Sequence, residues 1–149
     1  MRAARDEAGA AIRELRDLAR GIAPPVLADR GLAAALEALA QRSAVDAQVR
    51  VAVAERPPAV LETAAYFVVA EALTNVTKHA GATAAWVDVH QDGGVLVASV
   101  SDDGSGGADP AGSGLLGLRG RVEAVDGTLA VTERPGGGTI VRAELPCER

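Results

Sequence analysis

The sequence predicts an α+β domain in which helices cover one face of a β-sheet. Strand-like segments whose apolar residues alternate with period two, such as 48–54 and 84–91, are interleaved with segments of helical periodicity. The turn signal Asp92–Gly94 joins two of the strands into a hairpin, and hairpins imply antiparallel pairing. Helices packed on one side of such a sheet give a two-layer sandwich.

Length and composition narrow the class of protein. A chain of 149 residues has a one-domain length, and its 48% hydrophobic content is enough for a sizeable aliphatic core. The net charge of −5 argues against a nucleic-acid-binding domain. A single cysteine excludes an intrachain disulfide, and two histidines make a histidine-rich metal site a poor candidate. No run of eighteen apolar residues and no signal peptide is found, so we expect a cytoplasmic chain without membrane contact.

The first predicted helix carries an apolar stripe over 12–22 and ends at Gly21 and Pro24–Pro25. This stripe either packs on the core of the domain or belongs to a helical hairpin or dimer bundle. The later helices are predicted from about Gly31, over Ala59 to about Ala80, and over Leu118–Val125. The strands are predicted at Gln48–Ala54, Ala84–Gln91, Val95–Ser101, Thr128–Glu133 and Thr139–Leu145.

A polar stripe runs along the long predicted helix. At about 100° per residue, the helix places Glu71, Asn75, Lys78 and His79 on one face, opposite a buried apolar face. Carboxylate and amide oxygens suit Mg²⁺, and an ammonium and an imidazole suit phosphate oxygens. The alternative is a solvated helix face without function, and His79 alone would complement the helix dipole.

Glycine-rich segments follow two of the predicted strands. Asp102–Gly117 is sixteen residues long, which favours a lid over a simple connection, with a flexible surface loop as the alternative. The second part, Gly112–Gly117, opens a helix whose backbone N–H groups suit phosphate oxygens. The segment lacks the GK[ST] of a Walker A loop. Gly136–Gly138 on its own indicates an ordinary hairpin.

Taken in chain order, four motifs together resemble the ATP-binding domain of histidine kinases. The matching positions are the N box (Glu71, Asn75, Lys78, His79, Ala80), the first glycine box (Asp102, Gly104, Gly106), the second (Gly112, Gly114, Leu115, Gly117, Leu118) and the third (Gly136, Gly138, with Thr139). The resemblance covers about Gly31 to Pro146. It implies a Bergerat-type histidine kinase ATPase fold, a two-layer α/β sandwich with a mixed, mainly antiparallel sheet of about five strands.

The segment 15–36, LRDLARGIAPPVLADRGLAAAL, resembles the joint before the catalytic domain in sensor kinases of the nitrate-sensor type. The resemblance divides the chain into 1–30, the end of a dimerisation helix with its joint, and 31–149, the catalytic domain. Neither His79 nor His90 stands where the phosphoacceptor histidine of this family would be. The resemblance therefore implies that the acceptor lies on a dimerisation domain, and it leaves a dimer through the N-terminal helix possible.

The resemblance also implies the role of each site residue. Asp102 would accept the adenine amino hydrogen, with a turn-forming aspartate as the alternative. Asn75 would hold Mg²⁺ directly, and Glu71 would act on it through a water. The catalytic candidates are Glu71 and Lys78. The other candidate ATP contacts are Lys78 and His79 at the phosphates, Thr139 in the pocket wall, and the lid positions Gly104, Gly106, Gly112, Gly114, Leu115 and Gly117.

The function that follows is Mg·ATP binding and phosphorylation of a histidine, for relay to a response regulator with a helix-turn-helix output domain. An anti-sigma-type protein serine kinase is one alternative, although it would not need the joint at 15–36. A non-catalytic ATP-binding module is another, and the full set of boxes argues against it. A gyrase- or chaperone-type ATPase would need a longer lid and a transducer domain, for which 149 residues leave no room.

Overall fold

The computed structural model describes residues 22–79, 81–105 and 113–147. This part of the chain holds four helices and five strands, in the α+β arrangement predicted from the sequence. The helices are α1 (Pro25–Arg30), α2 (Leu32–Gln41), α3 (Ala59–His79) and α4 (Ser113–Glu123). The strands are β1 (Asp46–Ala52), β2 (Ala84–Asp92), β3 (Val95–Asp102), β4 (Thr128–Glu133) and β5 (Thr139–Pro146).

The five strands form one sheet in the order β1-β2-β3-β5-β4. β1 pairs with β2 in parallel, and the remaining three pairs are antiparallel. The parallel pair is connected through α3, since parallel neighbours need a crossover rather than a tight turn. The sheet is therefore mixed and mainly antiparallel, which confirms the predicted fold class.

The core lies between the helices and one face of the sheet. Alternate residues of β3, namely Leu96, Ala98 and Val100, are at most 2% exposed, because successive side chains of a strand point to opposite faces. Among the described residues the buried aromatic side chains are Tyr66 and Phe67 on α3, and the rest of the core is aliphatic.

By length and composition α3 could cross a membrane, since Ala59–Lys78 contains an 18-residue apolar window, with a mean hydropathy of 1.3. In the fold, 67% of this window is buried inside the domain. The apolar character of α3 is therefore explained by its place as the central core helix. Among the described residues no other helix is long and apolar enough to span a bilayer.

Three elements differ from the prediction. β1 spans Asp46–Ala52 instead of Gln48–Ala54, because its pairing with β2 begins at Asp46 and ends at Ala52. The segment Pro25–Arg30 forms α1, a helix that the sequence did not predict, because a proline at the first helical position gives up only an N–H that has no helical partner. The helix predicted at Leu118–Val125 instead runs from Ser113 to Glu123. Burial of Leu115, Leu118 and Val122 along one face outweighs the cost of about 1 kcal/mol for each glycine in the helix.

The short helix α1 is attached to the rest of the domain. Leu27 is 3% exposed within the core, and the Arg56 guanidinium donates to the backbone oxygens of Leu27 (3.1 Å) and Ala28 (2.9 Å). Arg56 Nε also pairs with the buried carboxylate of Glu62 on α3 at 3.1 Å. Residues 12–21 of the apolar stripe predicted over 12–22 lie outside the described residues. Ile22, at the end of the stripe, is 48% exposed.

Candidate functional site

The predicted polar stripe of α3 lies on the face opposite its apolar contacts. Glu71 and Asn75 are half-buried and Lys78 is exposed. The residues expected on the core side are each at most 5% exposed: Val69, Ala72, Leu73 and Val76. The side chain of His79 lies outside the part of the chain that the structure describes.

Helix α4 packs against the N-terminal half of this stripe. A Cβ added at Gly114 would overlap Oε1 of Glu71, so the Glu71 side chain lies directly against the α4 backbone at this point. Two turns later in α4, the Arg121 guanidinium carbon lies 4.0 Å from the ring centroid of Phe67, which precedes Glu71 by one turn. The two contacts show that α4 runs antiparallel to α3. Asn75 therefore lies one turn beyond Glu71, past the N-terminal end of α4.

Asp102 is the last residue of β3 and lies on the core-facing side of the sheet. The period-two alternation that buries Val100 also directs Asp102 into the space between the layers, where it is 4% exposed. Its Oδ1 accepts a hydrogen bond from the backbone N–H of Gly104 at 2.8 Å. The carboxylate thus forms the turn considered as the alternative, and its burial also suits a carboxylate that receives a donor from a ligand.

The third glycine box lies directly against the first. Gly138 has a φ of +110°, and a Cβ there would overlap the backbone oxygen of Asp102 and lie 3.2 Å from its Oδ1. Thr139, 8% exposed, follows next to the Ser101–Ile140 pair on the β3–β5 ladder and shares the core-facing side. Glycine is therefore required at position 138 for two reasons, the close approach to Asp102 and the positive φ of the backbone.

Asp103 is a residue of this region that the motif comparison passed over. Its Oδ1 accepts from the backbone N–H groups of Thr83 (2.9 Å) and Ala84 (3.0 Å), and its Oδ2 accepts from the Thr83 hydroxyl (2.7 Å). These bonds lower the pKa of Asp103 from 3.8 to about 2, the Ala84 N–H being the largest cause. Asp103 joins the segment that follows α3 to the end of β3. Its donors, Thr83 and Ala84, are about twenty residues away in the sequence, so no local pattern indicates this role.

The remaining candidate positions differ in their surroundings. Gly104 is half-buried beside Asp102, and Leu115 is 5% exposed within the core. Nothing lies within 4 Å of a Cβ placed at Gly117, so no contact in the described part explains a glycine there. Gly106 and Gly112 lie outside the described residues.

The donor set allows a divalent cation only together with a ligand that brings its own oxygens. Within the described ranges, no three His, Cys, Asp or Glu side chains are grouped so as to hold a metal. Glu71 and Asn75 instead offer carboxylate and amide oxygens on adjacent turns of one half-buried face. Mg²⁺ commonly takes one or two protein oxygens and completes its shell with phosphate and water, so these residues fit it.

The sequence of the chain is similar to those of two sensor histidine kinases. The chain is 34% identical to the sensor histidine kinase MctS of Rhizobium johnstonii in an alignment that covers 87% of this chain and 31% of the relative. It is 34% identical to the oxygen sensor histidine kinase NreB of Staphylococcus carnosus, over 91% of this chain and 42% of the relative. The chain thus spans less than half the length of these curated relatives.

Solved structures show the same fold. A blue-light-activated histidine kinase of Erythrobacter litoralis superposes with a TM-score of 0.62 at 25% identity, over 78% of this chain and 45% of that one. The ATP-binding domain of PrrB from Mycobacterium tuberculosis superposes with a TM-score of 0.60 at 22% identity, over 79% of this chain and 93% of that one. Residues 61–149, more than half of the chain, match the family described as histidine kinase-, DNA gyrase B- and HSP90-like ATPase. The chain therefore belongs to this family of ATP-binding domains.

Proposed function

We propose that this chain is the catalytic, Mg·ATP-binding part of a sensor histidine kinase of the nitrate-sensor type. It transfers the γ-phosphoryl group of ATP to a histidine on a dimerisation domain, for relay to a response regulator with a helix-turn-helix output domain. The identity to two sensor histidine kinases and the order of the four motifs support this proposal. Since ATP and the regulator are cytoplasmic, the domain works in the cytoplasm. The boundary between joint and catalytic domain is placed at residue 30.

The buried carboxylate of Asp102 is the observation that carries the proposal. It stands between the helices and the sheet, at 4% exposure, with glycines at positions 104 and 138 on either side. A carboxylate selects a donor, and adenine presents an amino group where guanine presents a carbonyl. We assign the recognition of adenine to Asp102, and Thr139 supports the same wall.

The phosphate end of the site is assigned to the polar stripe of α3. Asn75 holds Mg²⁺ directly and Glu71 acts through a water, while Lys78 and His79 meet phosphate oxygens. When bound, Mg²⁺ neutralises charge on the phosphates during transfer. Catalysis by this chain is then the positioning and electrostatic stabilisation that phosphoryl transfer requires. The lid from Gly104 to Gly117, with Gly106, Gly112, Gly114 and Leu115, completes the proposed triphosphate site.

The nucleophile is assigned to another domain because of where His90 lies. On β2 the buried residues are Ala85, Val87 and Val89, so His90 lies on the outer face of the sheet, opposite Asp102. His90 Nδ1 lies 2.9 Å from Asp88 Oδ1, so the histidine does have an acidic neighbour. This pair is nonetheless on the far side of the sheet from the proposed nucleotide.

Transfer between separate domains tests the proposal. The purified chain is incubated with γ-labelled ATP, with and without a separately purified dimerisation domain that carries the acceptor histidine. We expect acid-labile phosphate on the dimerisation domain only, lost with Asn75→Ala in this chain or with histidine replaced by glutamine in the acceptor. Acid-stable labelling of a protein substrate would indicate a serine kinase instead. ATP binding without any transfer would indicate a non-catalytic module, and labelling of this chain alone, lost with His90→Gln, would show a misplaced acceptor.

A further inference from the structure

The outer face of the sheet carries Trp86, the only tryptophan of the chain. The ring is half-buried, and the guanidinium carbon of Arg134 lies 4.7 Å from its centroid. This distance is within the range of about 6 Å in which a cation is attracted to an aromatic face. Arg134 comes from the hairpin between β4 and β5, so the stack joins that hairpin to β2.

Arg134 also holds the shape of the hairpin itself. Its Nη1 donates to the backbone oxygen of Gly137 at 3.3 Å. Its backbone N–H donates to the backbone oxygen of Gly138 at 3.0 Å. In return the Gly137 N–H donates to the backbone oxygen of Arg134 at 3.0 Å. One residue thus makes three hydrogen bonds with the glycines that follow it.

The hairpin has few other means of keeping its position. The residues Gly136, Gly137 and Gly138 have φ values of +88°, +113° and +110° and no side chains to pack. A cleft of about 420 Å³ lies between the hairpin and Ser105. Glycine also loses more conformational freedom than any other residue when it is fixed. The stack on Trp86 is therefore a main restraint on this loop, and the loop ends at Gly138, against Asp102.

We propose that Arg134 is a positioning residue for nucleotide recognition. Stacked on Trp86, it fixes the β4–β5 hairpin so that Gly138 stays against Asp102 and the carboxylate is held ready to accept the adenine amino group. Preorganisation of this kind gives affinity because the ordering cost is met before the ligand binds. The inference rests on the adenine-reading role proposed for Asp102.

The test compares ATP with inosine triphosphate, which has a carbonyl in place of the adenine amino group. Dissociation constants are measured by calorimetry for the chain and for Arg134→Ala, Arg134→Lys and Trp86→Phe. We expect Arg134→Ala to weaken ATP binding about tenfold, the scale of one cation–π contact with its hydrogen bond, and to leave inosine triphosphate binding nearly unchanged. The two conservative variants should fall between the wild type and Arg134→Ala.

Arg142→Ala is the matched control. Arg142 lies on β5, also on the outer face, and pairs with Glu144 at 3.2 Å, both side chains being about half exposed. It should leave both dissociation constants unchanged. Emission of Trp86, measured without nucleotide, should change with Arg134→Ala and Arg134→Lys but not with Arg142→Ala.

Each other outcome has a definite meaning. Equal ATP affinity in Arg134→Ala and the wild type would overturn the inference, as would an equal loss for both nucleotides, which indicates a general loss of structure. A wild type that binds both nucleotides equally would remove the role of Asp102 and this inference with it, while ATP binding stands. A wild type that binds neither would overturn the proposed function itself.

Discussion

The α-carbon of Gly114 on α4 faces the Glu71 side chain on α3 without room for a methyl group between them. The Glu71 carboxyl carbon would lie 3.1 Å from a Cβ at position 114, and its Oε1 would overlap it. Glycine is the residue that allows this approach. The contact brings the start of α4 against the carboxylate proposed to act at Mg²⁺.

Gly114→Ala should therefore weaken binding of Mg·ATP by about tenfold or more, since small displacements of positioned groups have large effects. Gly120→Ala on the same helix is the control, because nothing lies within 4 Å of its Cβ. That control should bind normally and gain up to about 1 kcal/mol of stability from the better helix former. Calorimetry and urea unfolding measure the two effects. Unchanged affinity in Gly114→Ala would show that the Glu71 contact has no part in binding.

Gly138→Ala should be among the most damaging changes in the site. The backbone has a φ of +110°, and the new Cβ would overlap the backbone oxygen of Asp102. Gly136→Ala is the matched control, with a φ of +88° but nothing within 4 Å. We expect a cost of about 1–2 kcal/mol from backbone conformation for both, with a further loss only in Gly138→Ala. Urea unfolding of the two variants gives the difference, and equal losses would mean that the approach to Asp102 is easily relieved.

Asp103 gives the domain a defined response to acid. Its pKa is lowered from 3.8 to about 2 by the Ala84 and Thr83 donors. The hydrogen bonds of the folded state favour the ionised carboxylate of Asp103. Its contribution to the stability of the domain is therefore complete above about pH 4 and is lost as the pH falls to about 2. The stability difference between the wild type and Asp103→Asn should follow this course in urea unfolding at a series of pH values. Thr83→Val, which removes one donor, should reduce the dependence without abolishing it. A difference independent of pH would contradict the assignment.

Local patterns in the sequence predict most of the sheet. β2 to β5 lie within a residue of their predicted ends, because alternation of apolar residues and turn signals act over short distances. The parallel pairing of β1 with β2 was not derivable from segment 46–52 itself, since it depends on the α3 crossover. The start of α4 was missed because glycines indicate a loop, while the burial of Leu115 and Leu118 decides for a helix.

In the candidate site, too, local patterns predict some features and tertiary contacts set the others. The face of α3 that carries Glu71 and Asn75 follows from helical periodicity alone. The contacts of Gly114 with Glu71, and of Arg134 with Trp86, join residues more than forty positions apart in the sequence. No local pattern contains such pairs, because strand register and helix packing set them.

The Arg56–Glu62 pair should govern the attachment of α1 to the catalytic domain. The Glu62 side chain is 4% exposed and that of Arg56 54%, and Arg56 also donates to the carbonyls that end α1. Arg56→Ala leaves a buried carboxylate without its cation, and we expect a loss of about 1–3 kcal/mol, less than for a fully buried pair because Arg56 is half exposed. Adding Glu62→Gln should restore part of this loss, since the uncompensated charge is gone. Arg142→Ala, which breaks the exposed pair with Glu144, should cost less than about 1 kcal/mol. Urea unfolding of the full chain measures the wild type and the three variants. A single Arg56→Ala that is no worse than Arg142→Ala would show that the Arg56–Glu62 pair does not govern the attachment of α1.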